Sequence, residues 1–238
     1  NLPQTFDNFF DFVWTIVTDP SNASEDEAYA ATYGAIYRST NGGSAWNIVR
    51  GGTNPYSEKT DVAITSTGIV YATFSGEGVT KGIHRSADGL TWADITPTGW
   101  PTTYGRIVIG IAPSDQNVVY FLAETAGSGL NNHSIWKYTD NGSGTGTWAN
   151  RSANLPAAGA PVGDFDSQFG YDLVVKVKPN DANAVFIGGT NLYRSTDGFA
   201  TSGNTTWIGG YATSNDVSSY AAHHPDQHSM AFLPSNPA

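Results

Sequence analysis

There is no cysteine among the 238 residues, so disulfide bridges and thiolate metal sites are excluded, and packing and hydrogen bonding must hold the fold. Charge is scarce too: 13% of residues are Asp, Glu, Lys or Arg, and only 11 are basic. Those 11 are scattered, the formal net charge is -10, and the pI is near 4.6. Nucleic acid and anionic membrane are therefore poor partners. No run of about eighteen apolar residues occurs, so no membrane insertion is expected. No signal peptide is visible and residue 1 is Asn, which reads as a processed or trimmed product.

What the chain does have is 27 glycines, 13% aromatic residues and abundant Ser, Thr and Asn. That balance predicts an all-β protein of short strands and tight turns. Four segments repeat one pattern: AIYRSTNGGSAW, GIHRSADGLTW, SIWKYTDNGSGTGTW and NLYRSTDGFATSGNTTW. Each runs through an apolar residue, an aromatic or His, a basic residue and a small residue to Asp or Asn. A glycine turn of variable length follows and ends on Trp46, Trp92, Trp148 or Trp207.

Upstream of each lies a short apolar strand (EAYAATYG, GIVYATFSG, VVYFLAET, AVFIGGT), and before that another (VWTIVTDP, TDVAITSTG, RIVIGIAPSD, LVVKVKPND). Three of the joints between them contain Pro with Asp or Asn, at Pro20, Pro113 and Pro179. There Pro sets φ and the polar side chain caps the turn. Four antiparallel strands per unit, repeated, predict the blades of a β-propeller, at about 12–50, 58–97, 105–155 and 169–211.

The closing motif is assigned structural work. Asn41, Asp88, Asp140 and Asp197 accept hydrogen bonds from turn amides, Ser39, Ser86 and Ser195 precede them, and the tryptophans pack on neighbouring strands. Arg38, Arg85 and Arg194 share one slot and are framework. This motif resembles the Asp-box (BNR-type) repeat, Ser/Thr-x-Asp-x-Gly-x-Thr-Trp, of sialidases, xyloglucanase-type glycoside hydrolases, sortilin-type receptors and secreted bacterial propellers. The resemblance covers residues 12 to 238. It departs in spacing: unit two is one residue short, unit three carries an insertion at Ser143 to Gly146, and unit four is longer still. In those families the motif marks architecture, away from any active site. The resemblance also implies secretion or display at the cell surface.

Asn154-Leu155-Pro156 leaves the third unit, and the same tripeptide opens the chain at Asn1. The expectation is a piece of a longer propeller, residues 1–238 forming four blades plus the first strand of a fifth at 226–238. The rest of the same propeller, or a partner chain, would complete the ring.

In a propeller the loops leading into the first strands form one face. Arg106 and Asp172 each precede their turn prolines by seven residues, and His228 precedes Pro234 by six. With Tyr171, His224 and Asp226 they are expected around one mouth, where a glycan or protein ligand would bind. Trp100 and Tyr104, in TGWPTTYGR, are candidates to stack on a sugar or to pack on the blade below. Asp164 and Asp166 offer oxygen ligands for Ca²⁺ without a complete calcium-loop pattern, and no cofactor is required. His223, His224, Asp226 and His228 match no metalloprotease pattern.

Two functions remain. Glycoside hydrolysis needs two carboxylates, for which Asp172 and Asp226 are the candidate pair. The xyloglucanase-type acid is missing where Tyr33 stands, and a sialidase-like site lacks its arginines and its Arg-Ile-Pro motif. A non-catalytic module that binds a glycan or protein, or serves as a scaffold, needs only a rigid frame with variable loops. The residues favour this second function.

Overall fold

The computed structural model describes residues 11–157, 159, 162–211 and 225–233. These form sixteen strands in four four-stranded antiparallel sheets. The first sheet contains β1 (Val13–Thr18), β2 (Ala28–Thr32), β3 (Ala35–Ser39) and β4 (Asn47–Gly51). The second contains β5 (Thr60–Ile64), β6 (Val70–Phe74), β7 (Gly82–Ser86) and β8 (Trp92–Asp94). The third contains β9 (Ile107–Ile111), β10 (Val118–Glu124), β11 (His133–Asp140) and β12 (Gly146–Asn150). The fourth contains β13 (Val174–Lys178), β14 (Asp181–Gly188), β15 (Leu192–Ser195) and β16 (Thr205–Gly209). Every sheet is a meander with its strands in chain order.

The chain divides into two compact units, residues 1–100 with 143–145, and residues 101–142 with 146–238. In the first, Tyr29, Ala31 and Ile36 pack with Val62, Val70, Ala72 and Phe74. The Tyr29 hydroxyl is buried and donates to Glu27 Oε1 at 2.5 Å, while Arg38 holds the same carboxylate through Nε at 2.6 Å and Nη2 at 3.0 Å. Burial raises the Glu27 pKa, but the donors from Arg38 and Tyr29 outweigh it and leave a net lowering. Arg38 is thus spent inside its own blade.

In the second unit, alternate residues of β10, β13 and β14 (Tyr120 and Leu122, Val175 and Val177, Val185 and Ile187) fill one core with Ile135, Phe165, Tyr193 and Phe199. Full burial of each such side chain contributes about 1.5–3 kcal/mol.

Turn chemistry follows the sequence closely. Asp19 Oδ1 accepts from Ser21 N at 2.7 Å, Asp115 from Asn117 N at 3.3 Å, and Asp181 from Asn183 N at 2.9 Å. In the closing turns, Asn41 Oδ1 accepts from Ala45 N at 2.8 Å and from the Ser39 hydroxyl at 3.0 Å. Asp88 Oδ1 accepts from Leu90 N at 2.8 Å, Thr91 N at 2.6 Å and the Ser86 hydroxyl at 3.0 Å. These amides, Thr91 N first, hold the Asp88 carboxyl well below the usual range. Asp140 accepts from Gly142 N at 2.9 Å, and Asp197 from Ala200 N at 3.1 Å and the Ser195 hydroxyl at 2.9 Å. The tryptophans that follow are half-buried; Trp148 leans on Tyr138 at 4.7 Å and Phe121 at 5.4 Å between ring centres.

Asn154 has a purpose that the repeat alone did not reveal. Its Nδ2 donates to the carbonyls of Phe199 at 2.8 Å and Ala200 at 3.0 Å, tying the exit of the third sheet to the closing turn of the fourth. The opening copy at Asn1 lies outside the described residues. The expected first strand of a fifth unit differs from what is found: residues 225–233 carry no strand. That stretch makes one backbone bond to the fourth sheet, Gln227 N to Gly189 O at 2.8 Å, and an edge contact of Phe232 with Phe186 at 5.3 Å. A ladder needs successive pairs, and residues 234–238 lie outside the description.

Candidate functional site

In a four-stranded meander, the loop between strands two and three lies at the same end as the segment leading into strand one. In the second unit this end carries residues 125–132 and the described residues of the segment leading into β13, among them 162–173. The Asp turns at Asp140 and Asp197 lie at the other end of their sheets. Between the two loops opens a cleft of about 790 Å³ lined by Glu124, Ala126, Asn131, Asn132, His133, Asp164, Phe165, Asp166, Gln168, Phe169 and Tyr171. Its size is in the range of small-ligand sites.

The floor is built by anchoring residues 164–172 at alternate positions. Phe165 is 1% exposed and meets His133 edge-on at 4.8 Å between ring centres. The Tyr193 hydroxyl donates to Asp164 O at 2.8 Å, and Thr190 N donates to Asp166 O at 2.8 Å. Gly189 permits this last approach, since a Cβ there would stand 2.0 Å from Asp166 O.

Ser167 and His133 form a fully buried hub. His133 Nδ1 lies 2.7 Å from Asn131 O, which can only accept, so Nδ1 carries the proton. Nε2 then accepts from the Ser167 hydroxyl at 2.5 Å, and Ser167 Oγ accepts from Gly170 N at 3.1 Å. Burial lowers the His133 pKa, against smaller opposing effects of the Asn131 carbonyl and Asp166, and keeps the ring neutral.

With the hub below, the chain turns sharply through left-handed backbone at Gln168 (φ 48°) and Phe169 (φ 60°), followed by Gly170 (φ 81°). Two successive non-glycine residues in this region are costly, about 1–2 kcal/mol each. The turn drives Phe169 outward to 87% exposure, beside Tyr171 at 63%. Asn131 (φ 48°) and Asn132 (φ 63°) are left-handed on the facing loop, where Asn tolerates it.

The carboxylates differ in their partners. Asp164 accepts from Asn131 Nδ2 in a very short hydrogen bond, while burial and then the Asp166 carboxylate push its pKa up. Asp166 Oδ1 accepts from Gln168 N at 2.8 Å. Glu124, at the end of β10, is 8% exposed, and among the described residues its carboxylate has no hydrogen-bond or salt-bridge partner.

The expected residues fall in several places. Arg106 Nη1 donates to Gly170 O and Tyr171 O, both at 3.2 Å, so it braces the cleft loop. His228 Nε2 stands 3.5 Å from Asp172 Oδ1, and its ring meets Tyr171 edge-on at 4.8 Å. Gln168 Nε2 donates to Asp226 Oδ1 at 3.2 Å. Arg106, Tyr171, Asp172, Asp226 and His228 therefore gather around one loop. His223 and His224 lie outside the described residues.

The remaining candidates lie as follows. Asp172 is fully buried, and among the residues that line this cleft neither it nor Asp226 occurs, so the two do not flank it. Trp100 and Tyr104 are buried, at 8% and 9% exposure, which fits the packing alternative and not stacking on a sugar. Asp164 and Asp166, the candidate Ca²⁺ ligands, both line the cleft.

Glu124, Asn131, Asn132, His133, Ser167 and Phe169 were missed. A signal existed in the repeat: by strand register, Glu124 occupies the slot of Tyr33 and Ser75, a charge where the other units have none.

No protein-family model matches the chain, and no curated protein matches it. Solved structures do match. A GH74 enzyme from Niastella koreensis is similar at TM-score 0.53 and 19% identity, over 81% of this chain and 28% of that one. The GH74 xyloglucanase from Xanthomonas campestris is similar at 0.55 and 17%, over 82% and 30%. An auxiliary nutrient binding protein from Bacteroides ovatus is similar at 0.51 and 17%, over 87% and 44%. The fold is a β-propeller. At such identities the likeness carries fold alone, and the chain spans less than half the length of each of these proteins. Among the described residues, no helix is long and apolar enough to cross a membrane.

Proposed function

We propose that this chain is an Asp-box β-propeller module, secreted or displayed at the cell surface, that binds a glycan without cleaving it through the cleft between residues 125–132 and 164–171. One observation carries the reading: Phe169 is held in left-handed backbone and is 87% exposed. Both features oppose folding, and an aromatic kept there at the rim of a polar cleft suits a ligand. Phe169 and Tyr171 offer faces to the apolar side of a sugar ring, and Asn131, Asn132 and the carboxylates offer partners to hydroxyls. That solved propellers of similar fold include glycan-degrading and nutrient-binding proteins supports this class of ligand.

The test is calorimetric titration of the chain with a panel of oligosaccharides. Binding that is lost in Phe169→Ala and Tyr171→Ala, with the fold intact, supports the reading. Failure of every glycan to bind sinks it.

A second reading, glycoside hydrolysis, draws on Asp164, whose raised pKa beside Asp166 is the asymmetry that an acid needs. Sugar release abolished by Asp164→Asn, with binding retained, would establish it in place of the first.

A further inference from the structure

The charge balance of the cleft narrows its ligand. Three carboxylates line it, Glu124, Asp164 and Asp166, and no Lys or Arg does among the described residues. The nearby Arg106 guanidinium donates to the carbonyls of Gly170 and Tyr171 and offsets part of the negative charge without lining the cleft, and the buried His133 adds no positive charge. Asp164 and Asp166 each accept from an amide. Glu124 differs: the residue is 8% exposed and lines the cleft, and among the described residues no donor is paired with its carboxylate. A carboxylate that faces the cleft with no protein donor is open to a charge-assisted hydrogen bond from a cationic guest. The exposed rings of Phe169 and Tyr171 favour the same kind of guest, because an aromatic face attracts an ammonium as well as a sugar's C–H edge. A uronic or sialic acid would face three carboxyl groups and no basic side chain in the lining.

We infer that the cleft selects a glycan bearing a free, protonated amine, an aminosugar whose nitrogen is not acylated, and that Glu124 is the residue that receives the ammonium. This rests on the glycan-binding reading above and adds its specificity.

The experiment titrates the full chain, at about pH 6 where a free amine is protonated, with glucosamine oligomers, their fully N-acetylated counterparts, neutral β-glucan oligomers, oligogalacturonate and oligolysine. The expected result is binding of the free-amine oligomer at least about tenfold tighter than the acetylated one. That preference should fade as pH rises through the amine's pKa, and Glu124→Gln should bring the ratio close to one. Gln is isosteric and removes an unpartnered charge, so the variant keeps the fold. Equal affinity for acetylated, neutral and free-amine oligomers overturns the specificity and leaves the glycan reading standing. An unchanged ratio in Glu124→Gln overturns the role of Glu124. Oligolysine binding more tightly than any glycan replaces the aminosugar with a basic peptide, and no glycan binding at all removes the parent reading as well.

Discussion

Replacing Phe169 with glycine separates a residue kept for a ligand from one kept for the fold. Phe169 stands at φ 60° and is 87% exposed. Leaving left-handed backbone recovers about 1–2 kcal/mol for an L-residue, and the freer unfolded chain of glycine takes back roughly 0.5–1 kcal/mol. The buried remainder of the ring, about an eighth of some 150–250 Å², is worth roughly 0.5 kcal/mol. These contributions nearly cancel, so Phe169→Gly should leave stability within about 1 kcal/mol of the parent. Truncating an aromatic of the core would instead cost about 3–5 kcal/mol. Urea denaturation followed by tryptophan fluorescence measures the difference, and the same preparation is titrated with the best oligosaccharide. The expected result is an unchanged midpoint with binding lost. A loss of more than about 2 kcal/mol would show that the contacts of Phe169 serve the fold, and the reasoning from its exposure would fail.

Ser167→Ala leaves the buried Nε2 of His133 without its donor and Gly170 N without its acceptor. It should cost about 2–4 kcal/mol in urea denaturation, and a cost under about 0.5 kcal/mol would contradict the hub. His84 is 2% exposed, and burial first, then Arg50, holds its pKa down at about 4. An unfolded histidine takes its proton near pH 6.5, so between about 6.5 and 4 the unfolded state binds more protons. Stability is therefore full above pH 6.5 and falls on acidification, by on the order of 2–3 kcal/mol from this residue. A His84 ring resonance titrating between pH 6 and 7 in the folded protein would contradict this. Asp197 accepts from Ser195, Ala200 N, Asn204 and both the amide and hydroxyl of Thr201. Burial raises its pKa, but these donors win and lower it. After discount for its partial exposure, Asp197→Ala should cost about 1–2 kcal/mol, measured as a lower thermal midpoint.

Architecture was legible because it repeats. Four copies of one strand-turn pattern announce four meanders, and residues such as Asp88 and Asp181 act through amides two or three positions away, which sequence spacing shows directly. The site was legible only in part. The Asp172–His228 pair emerged from counting back from the turn prolines. Trp100 was singled out because no repeat slot explained it, yet its ring is buried, since loop aromatics pack wherever neighbouring strands leave room. Phe169 failed in the opposite sense: an apolar residue in an aromatic-rich stretch reads as core until the backbone angles of Gln168 and Phe169 turn it outward. Ser167 and His133 are 34 residues apart, and only folding makes them a pair.

The central claim, that the cleft of the second unit receives a glycan, is tested most directly by mapping backbone amide NMR shifts as an oligosaccharide is added. The account predicts perturbations concentrated on Gln168 to Tyr171 and Asn131 to His133, with little change at the Asp turns around Asp140 and Asp197. Shifts confined to those turns or to residues 1–100, with the cleft loops silent, would contradict it.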